Sequence, residues 1–400
     1  MTLYQKLRNE MENHREFWNY YGVKFEDVFQ DESAARDFIY NYFKGGSKLY
    51  ALDTWANSMN EYIQMRNVHT VNVFFIGAFL QRIIDENIAI RSEVSSDYSF
   101  SYIWYLLCLA HDFGYVYEKY SKVYLEMTKK RFCSINSYRK NNGLILCNRK
   151  YWYQRHGIDI TYLNPPFGER TRILNLNSNG VARSGCNIVY NNGTIIKKPR
   201  YSENIKNKYF YYRLYEMGAL DHGIVGADEI FSRLVVNYVK EYRKMAAEDS
   251  FRESIYEFYN ERGLHFCSEQ FKIFSYIADC IASHNMFKAD DEEHIVKYME
   301  YSLNSLLPDK FEPISYADNP LLFILCVADT IEPSKRFTNY HNEDVLNLIS
   351  IDYNKNTNSL RVEVDEELYN CEAGHKYVSD IVGLEEWCDI KISVVSKEFK

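Results

Sequence analysis

A chain of 400 residues with 46% hydrophobic side chains and only seven prolines excludes a disordered protein and leaves room for one large domain with additions. Its longest apolar runs fall short of the roughly 20 residues that a membrane span needs, and Met1-Thr2-Leu3-Tyr4-Gln5-Lys6 lacks the apolar core of a secretion signal, so a soluble, cytoplasmic protein is expected. Nine cysteines, none paired as Cys-x-x-Cys, fit a reducing compartment without a zinc-thiolate site; Cys108, Cys280 and Cys326 read as small core residues.

Residues 1–65 read as an N-terminal helical extension. Phe25, Val28 and Phe29, then Ala34, Phe38, Ile39, Tyr42 and Phe43, recur near helical spacing, and Glu26 and Asp27 suit a first helical turn. A larger helical domain is expected over 66–340. Val71, Phe74, Phe75, Ala78, Phe79 and Ile83 predict a strongly amphipathic helix immediately after His69. The next apolar helix runs from Tyr102 through Ile103, Trp104, Leu106 and Leu107 and ends by setting His111 beside Asp112. Neither group is cheaply buried alone, and a metal ion compensates both at once.

An insertion is expected to interrupt this domain at 125–210. Asn142-Gly143, Pro165-Pro166, Asn179-Gly180 and Asn192-Gly193 supply turn signals, and Ile188–Tyr190 with Thr194–Ile196 predicts a β-hairpin. Residues 122–210 hold 17 Lys and Arg against 4 Asp and Glu, a net +13, so the remainder of a chain at −8 carries −21. Asn164-Pro165-Pro166-Phe167 matches a short amino-methyltransferase motif. No glycine-rich nucleotide loop accompanies it, and it reads as a turn.

Helices resume at Asp221, which suits a cap before Ile224, Val225, Ile230, Phe231, Leu234 and Tyr238. Phe271, Phe274, Ile277, Ala278 and Ile281 mark a helix reaching His284, and Asn319-Pro320 starts another through Leu321, Leu322, Leu325, Val327 and Asp329 that Pro333 ends. Over 345–400 a small α/β region is expected: a hairpin from Leu348–Ile351 and Leu360–Val364, a helix near 374–387, and a strand from Asp389 to Val395.

Six candidate metal ligands stand at or near the ends of apolar helices: His69, His111, Asp112, His222, His284 and Asp329. Each alone is more often a cap or a satisfied polar group, but nitrogen and carboxylate donors together suit Mn, Fe, Zn, Co or, less well, Mg. His265 is an alternative to His284. His14, His156, His294, His341 and His375 lack a comparable context.

The order His…His-Asp…His…His…Asp resembles the HD superfamily of metal-dependent phosphohydrolases. Leu-Ala-His111-Asp112-Phe-Gly is similar to the central helix of that family, Ala-Leu-Asp-His222-Gly-Ile-Val-Gly-Ala to its second-metal segment, and Ile-Ala-Ser-His284-Asn to its next ligand helix. Val-Ala-Asp329-Thr-Ile-Glu-Pro-Ser-Lys-Arg336 is similar to its closing aspartate helix. The resemblance covers most of 65–340 except the insertion and implies a mainly α fold, an HD-type helical bundle carrying a binuclear metal site; the partly β basic insertion and the small α/β C-terminal appendage are additions to it. It implies one divalent cation on His69, His111, Asp112 and Asp329 and a second on Asp112, His222 and His284. Two such cations about 3.5 to 4 Å apart would turn a shared water into hydroxide near neutral pH and neutralise charge on the phosphoryl oxygens. His111 and Asp112 would stand at the catalytic centre. Two departures are visible. Tyr115 occupies a position where many relatives have lysine, and His284-Asn285 lacks the Gly-Tyr-Pro signature of the cyclic di-GMP phosphodiesterases.

The expected reaction is therefore hydrolysis of a phosphoester or phosphodiester in a nucleotide-like or oligonucleotide substrate, which the basic insertion would gather. Lys335 and Arg336 are candidate phosphate clamps, and Arg149, Lys150, Lys197, Lys198 and Arg200 would face the substrate from the insertion as a lid or wall. Two other readings share the ligands. One is a di-iron oxygenase resembling inositol oxygenase; the other is a non-catalytic HD-fold sensor whose insertion binds nucleic acid or protein.

Overall fold

A computed structural model describes residues 1–18, 26–42, 66–84, 100–115, 122, 188–190, 195–197, 200–227, 230 and 268–399. Several expectations lie outside the described residues: Phe25 and Phe43, the four Asn-Gly and Pro-Pro turns of the insertion, Phe231, Leu234 and Tyr238, and the ligand alternative His265. The described chain is mainly helical, with a three-stranded sheet and a separate two-stranded hairpin. Among the described residues, no helix is long and apolar enough to cross a membrane.

In chain order the elements are α1 (Leu3–Asn13), α2 (Arg15–Trp18), α3 (Glu32–Tyr42), α4 (Asn67–Ile84), α5 (Phe100–Ala110), β1 (Ile188–Tyr190), β2 (Ile195–Lys197), α6 (Glu203–Glu216) and α7 (Ser268–Ser283). They continue as α8 (Glu292–Glu300), α9 (Pro320–Ile331), α10 (Asn342–Asn347), β3 (Ile349–Asn354), β4 (Ser359–Val364), α11 (Glu366–Asn370), α12 (Glu372–Gly383) and β5 (Lys391–Ser396). The chain forms two compact units. One joins Met1–Phe43, Met59–Cys108 and Phe311–Lys400; the other joins Lys44–Ser58 and Leu109–Lys310.

In the first unit, α1 starts from a capping box. The Thr2 hydroxyl accepts the Gln5 amide, and the Gln5 side chain accepts the Thr2 amide in return. Its buried side carries Leu3, Leu7, Met11 and the carboxylate of Glu10, which pairs with Arg82 of α4 at 2.8 Å. The Trp18 ring meets Phe74 and Phe75 edge-on, with centroids 6.3 and 5.0 Å away. Its indole nitrogen donates to the Glu10 carbonyl at 3.0 Å.

The spacing on α4 predicts one apolar face, but the helix is enclosed all round: every residue from Asn67 to Gln81 is buried. His69 lies within its first turn instead of preceding it. Its polar residues are satisfied internally. Asn72 Nδ2 donates to Glu332 and Asn342 at 2.7 and 2.8 Å, and Gln81 Nε2 donates to the Tyr316 hydroxyl at 2.9 Å. Gly77 lets α5 approach closely, since a Cβ there would lie 1.9 Å from the Trp104 ring. The Trp104 indole donates to the Phe74 carbonyl at 2.8 Å.

The sheet of the first unit has the order β3-β4-β5. The hairpin β3–β4 is antiparallel with Ile351 opposite Val362, and β5 joins β4 in parallel with Val394 opposite Val362. A parallel neighbour requires a crossover, which α11 and α12 supply. Ile349, Ile351, Leu360, Val362 and Val364 form its buried face, and Tyr377 of α12 donates to the Ile331 carbonyl at 2.6 Å.

In the second unit, β1 and β2 form the antiparallel hairpin expected in the basic insertion, with Ile188 opposite Lys197. Ser202 caps α6 through the Ile205 amide. Lys206 of α6 and Asp279 of α7 make a buried ion pair at 2.6 Å, and the other oxygen of Asp279 accepts the Arg200 amide at 3.1 Å. That second bond offsets part of the cost of burying the carboxylate.

Candidate metal centre

Three sequence-distant segments of the second unit bring their ligand candidates together. Apolar α5 ends at Ala110, and His111–Gly114 forms a turn in which the Phe113 amide donates to the Ala110 carbonyl. His222 opens a helical stretch over 222–227 that Asp221 caps, its Oδ1 accepting the Ile224 amide at 2.9 Å. His284 follows the last residue of α7. One donor atom from each of Asp112, His222 and His284 lies within 4.8 Å of the others. Asp112 Oδ1 is 3.8 Å from His222 Nε2 and 3.6 Å from His111 Nε2. These separations exceed hydrogen-bond length and match two ligands on one cation, which bonds of about 2.0 to 2.2 Å hold roughly 3 to 4 Å apart.

The histidine rings are fixed by their surroundings. His284 Nδ1 lies 2.6 Å from the Ile281 carbonyl, which only accepts, so Nδ1 carries the proton and Nε2 is the candidate ligand nitrogen. The Tyr115 ring stacks on His222 at 3.8 Å with 16° between the planes. Where the resemblance leads one to expect a lysine, this chain thus has an aromatic plate against a candidate ligand. His111, His222 and His284 are buried, whereas the Asp112 side chain is 14% exposed. The carboxylate is the part of the cluster that solvent reaches.

Glycines allow the three segments to meet backbone to backbone. A Cβ on Gly114 would lie 1.8 Å from the His222 carbonyl oxygen, one on Gly226 would lie 2.9 Å from the Gly114 nitrogen, and one on Gly223 would lie 2.7 Å from the Ile281 carbonyl oxygen. Buried Asp221 also accepts a hydrogen bond from Asn285 Nδ2 at 2.8 Å. Burial pushes the Asp221 carboxyl up, against the opposing pull of His222, Arg213, the Ile224 amide and Asn285.

The first unit carries the other two separated candidates. His69 Nε2 is 3.2 Å from Asp329 Oδ1, and His69 Nδ1 is 2.6 Å from Glu332 Oε2. Glu332 is fully buried, and its Oε1 accepts from Asn72 at 2.7 Å and from the Ser334 amide at 2.9 Å. Burial opposes its charge, but the His69 imidazole and the hydrogen bonds from His69, Asn72 and Ser334 outweigh that and hold the carboxyl below its usual range. Two species satisfy such a ring: an imidazolium donating at both nitrogens, or a neutral imidazole with a cation between Nε2 and the aspartate. The donor set fits a metal.

Compared with models of known families, with curated proteins and with solved structures, the chain matches none.

The expected phosphate clamps are engaged with carboxylates. Lys335 donates to Asp329 at 2.7 Å, and Arg336 donates to Asp380 of α12 at 2.8 Å. Lys197 lies on β2, and Arg200 donates its amide to Asp279 while its guanidinium lies over the Tyr201 ring. Arg149, Lys150 and Lys198 lie outside the described residues. Glu332, Asn72 and Asn285 are not among the ligands or clamps expected from sequence. A glutamate before a proline, an asparagine beside His284 and another between two valines carry no periodic signal, and their partners are distant along the chain.

Proposed function

We propose that this protein is a metal-dependent phosphohydrolase of the HD type, a helical bundle that cleaves a phosphoester or phosphodiester of a nucleotide-like or oligonucleotide substrate. The observation that supports this best is the grouping of Asp112, His222 and His284 within 4.8 Å, from three segments with no local reason to meet. In this reading Asp112, His222 and His284 of the second unit would hold one divalent cation, and the resemblance implies a second. When bound, a divalent cation would supply Lewis acidity, lowering the pKa of a water and neutralising charge on the phosphoryl oxygens.

The residues of the chain perform the remaining tasks. Buried His111, His222 and His284 surround the site with apolar packing that keeps bulk water away, and Ile281 sets the His284 tautomer. The Asp112 side chain is 14% exposed, so its carboxylate marks the side of this cluster from which substrate would approach. The excess of Lys and Arg in 122–210 favours a polyanionic substrate, with Arg149, Lys150, Lys197, Lys198 and Arg200 attracting its phosphates.

Protein purified without chelator, analysed for metal and screened anaerobically against nucleotides and cyclic dinucleotides with Mn2+ or Mg2+, tests the proposal. About two cations per chain are expected, together with phosphate or nucleotide release without oxygen and loss of both cations in Asp112→Ala. Oxygen consumption with a polyol and no hydrolysis of any nucleotide would move the protein to the oxygenase class. Full activity in Asp112→Ala would end the reading.

A further inference from the structure

Beside the ligands stands a group that none of the chemistry above uses. Glu332 is a carboxyl with no exposure, at the C-terminal cap of α9, three residues after Asp329. Burying a charge there is costly unless several donors meet it. Three do: His69 Nδ1 at 2.6 Å, Asn72 Nδ2 at 2.7 Å and the Ser334 amide at 2.9 Å. Asn72 is itself held by buried Asn342, whose side chain also donates to the Phe29 carbonyl at 2.8 Å. This network joins α3's approach, α4, α9 and α10 within one unit, and its one ring member is His69. A carboxylate can only accept, so His69 Nδ1 is the protonated nitrogen. Nε2 is thereby turned to Asp329 Oδ1, 3.2 Å away.

We propose that Glu332 is the positioning residue of His69: it holds the Nδ1 proton, fixes the ring plane and raises the basicity of Nε2 toward a divalent cation shared with Asp329. The ligand role rests on the phosphohydrolase reading; the ring orientation does not. The general expectation for removing such an outer partner is a loss of about 10- to 100-fold in metal affinity. An apolar or solvated glutamate at a helix end would have no such effect.

Two measurements test this on the full chain. Histidine-selective 15N NMR, with His69 assigned through His69→Gln, should show Nδ1 protonated in the wild type. An unprotonated Nδ1 overturns the proposal whether or not the protein is an enzyme. Zn2+ titration should give about 10- to 100-fold weaker binding in Glu332→Gln, with Glu332→Asp in between because it keeps the charge but shortens the reach. Glu332→Asp also serves if Glu332→Gln does not fold. Wild-type affinity in either folded variant overturns the positioning role. A wild-type chain that takes up no cation defeats the functional reading and the ligand role of Nε2 together, while the ring shift still judges the orientation.

Discussion

Asn285 donates its side-chain amide to Asp221 at 2.8 Å, and this one bond ties the residue after His284 to the residue before His222. The two histidines are 62 positions apart in the chain, yet their neighbours are hydrogen-bonded and their rings lie 5.2 Å apart between centroids. Asn285→Ala removes a donor from a buried carboxylate, which costs about 1 to 3 kcal/mol. Asn285→Asp is expected to be worse, because it sets a second carboxyl against Asp221. Thermal midpoints and Zn2+ titrations of the two variants should rank Ala above Asp in both stability and affinity. Equal behaviour of both variants and the wild type would show that the bond does not hold the ligands.

Gly114→Ala should disturb the centre without touching a ligand. The new methyl would sit 1.8 Å from the His222 carbonyl oxygen, a backbone atom that cannot swing aside. Overpacking of this kind costs about 1 to 3 kcal/mol, and relieving it moves His222 away from Asp112. Weaker Zn2+ binding is expected, while Gly383→Ala, which meets nothing within 4 Å, should bind as the wild type does.

The stability of the first unit should fall as pH rises from about 4.5 to about 7. Burial pushes Glu32 up to about 7, against the hydrogen bonds it accepts from the start of α4, including the Asn67 amide at 3.1 Å. The folded state therefore holds a proton that the unfolded chain releases from the ordinary value of 4.5 upward, and stability is lost as pH climbs through that window. Glu32→Gln should flatten the difference in thermal midpoint between pH 5 and pH 8. An unchanged difference would remove Glu32 from the account.

Charge reversal at Lys197 and Arg200, alone or with Arg149, Lys150 and Lys198, should raise KM more than it lowers kcat, since these residues are assigned to substrate attraction and not to chemistry. Binding should weaken with salt, because exposed charges are screened beyond roughly 8 Å at physiological ionic strength. Salt-independent KM, or a fall confined to kcat, would take the insertion out of the substrate path.

The sequence made the helices legible where periodicity and punctuation agree. Asn319-Pro320 opens α9, Asp221 caps the stretch carrying His222, and the Val362 and Val364 alternation gives β4. It misread the surroundings of α4. Asn72 and Gln81 look like a solvent face in sequence, but their partners Glu332, Asn342 and Tyr316 lie more than 200 residues away. The same distance hid Glu332, which reads as an ordinary exposed acid until its three donors are known. Gly114, Gly223 and Gly226 were visible as residues but not as contacts, because close backbone approach leaves no pattern in a single chain.

The first unit is closed by contacts between its opposite ends. Ser350 donates to the Met1 carbonyl at 2.9 Å, Thr2 donates to Asn347 at 3.0 Å, and Lys6 reaches the Ile351 carbonyl and Asp352. During synthesis α1 leaves the ribosome some 340 residues before the strand that it will touch. The second unit, Lys44–Ser58 with Leu109–Lys310, is by contrast fully synthesised before the last segment of the first. The nascent chain must therefore carry an unfinished apolar surface on α4, the face that α9 will cover, through most of its elongation. A label fused ahead of Met1 would sit at the last seam to form.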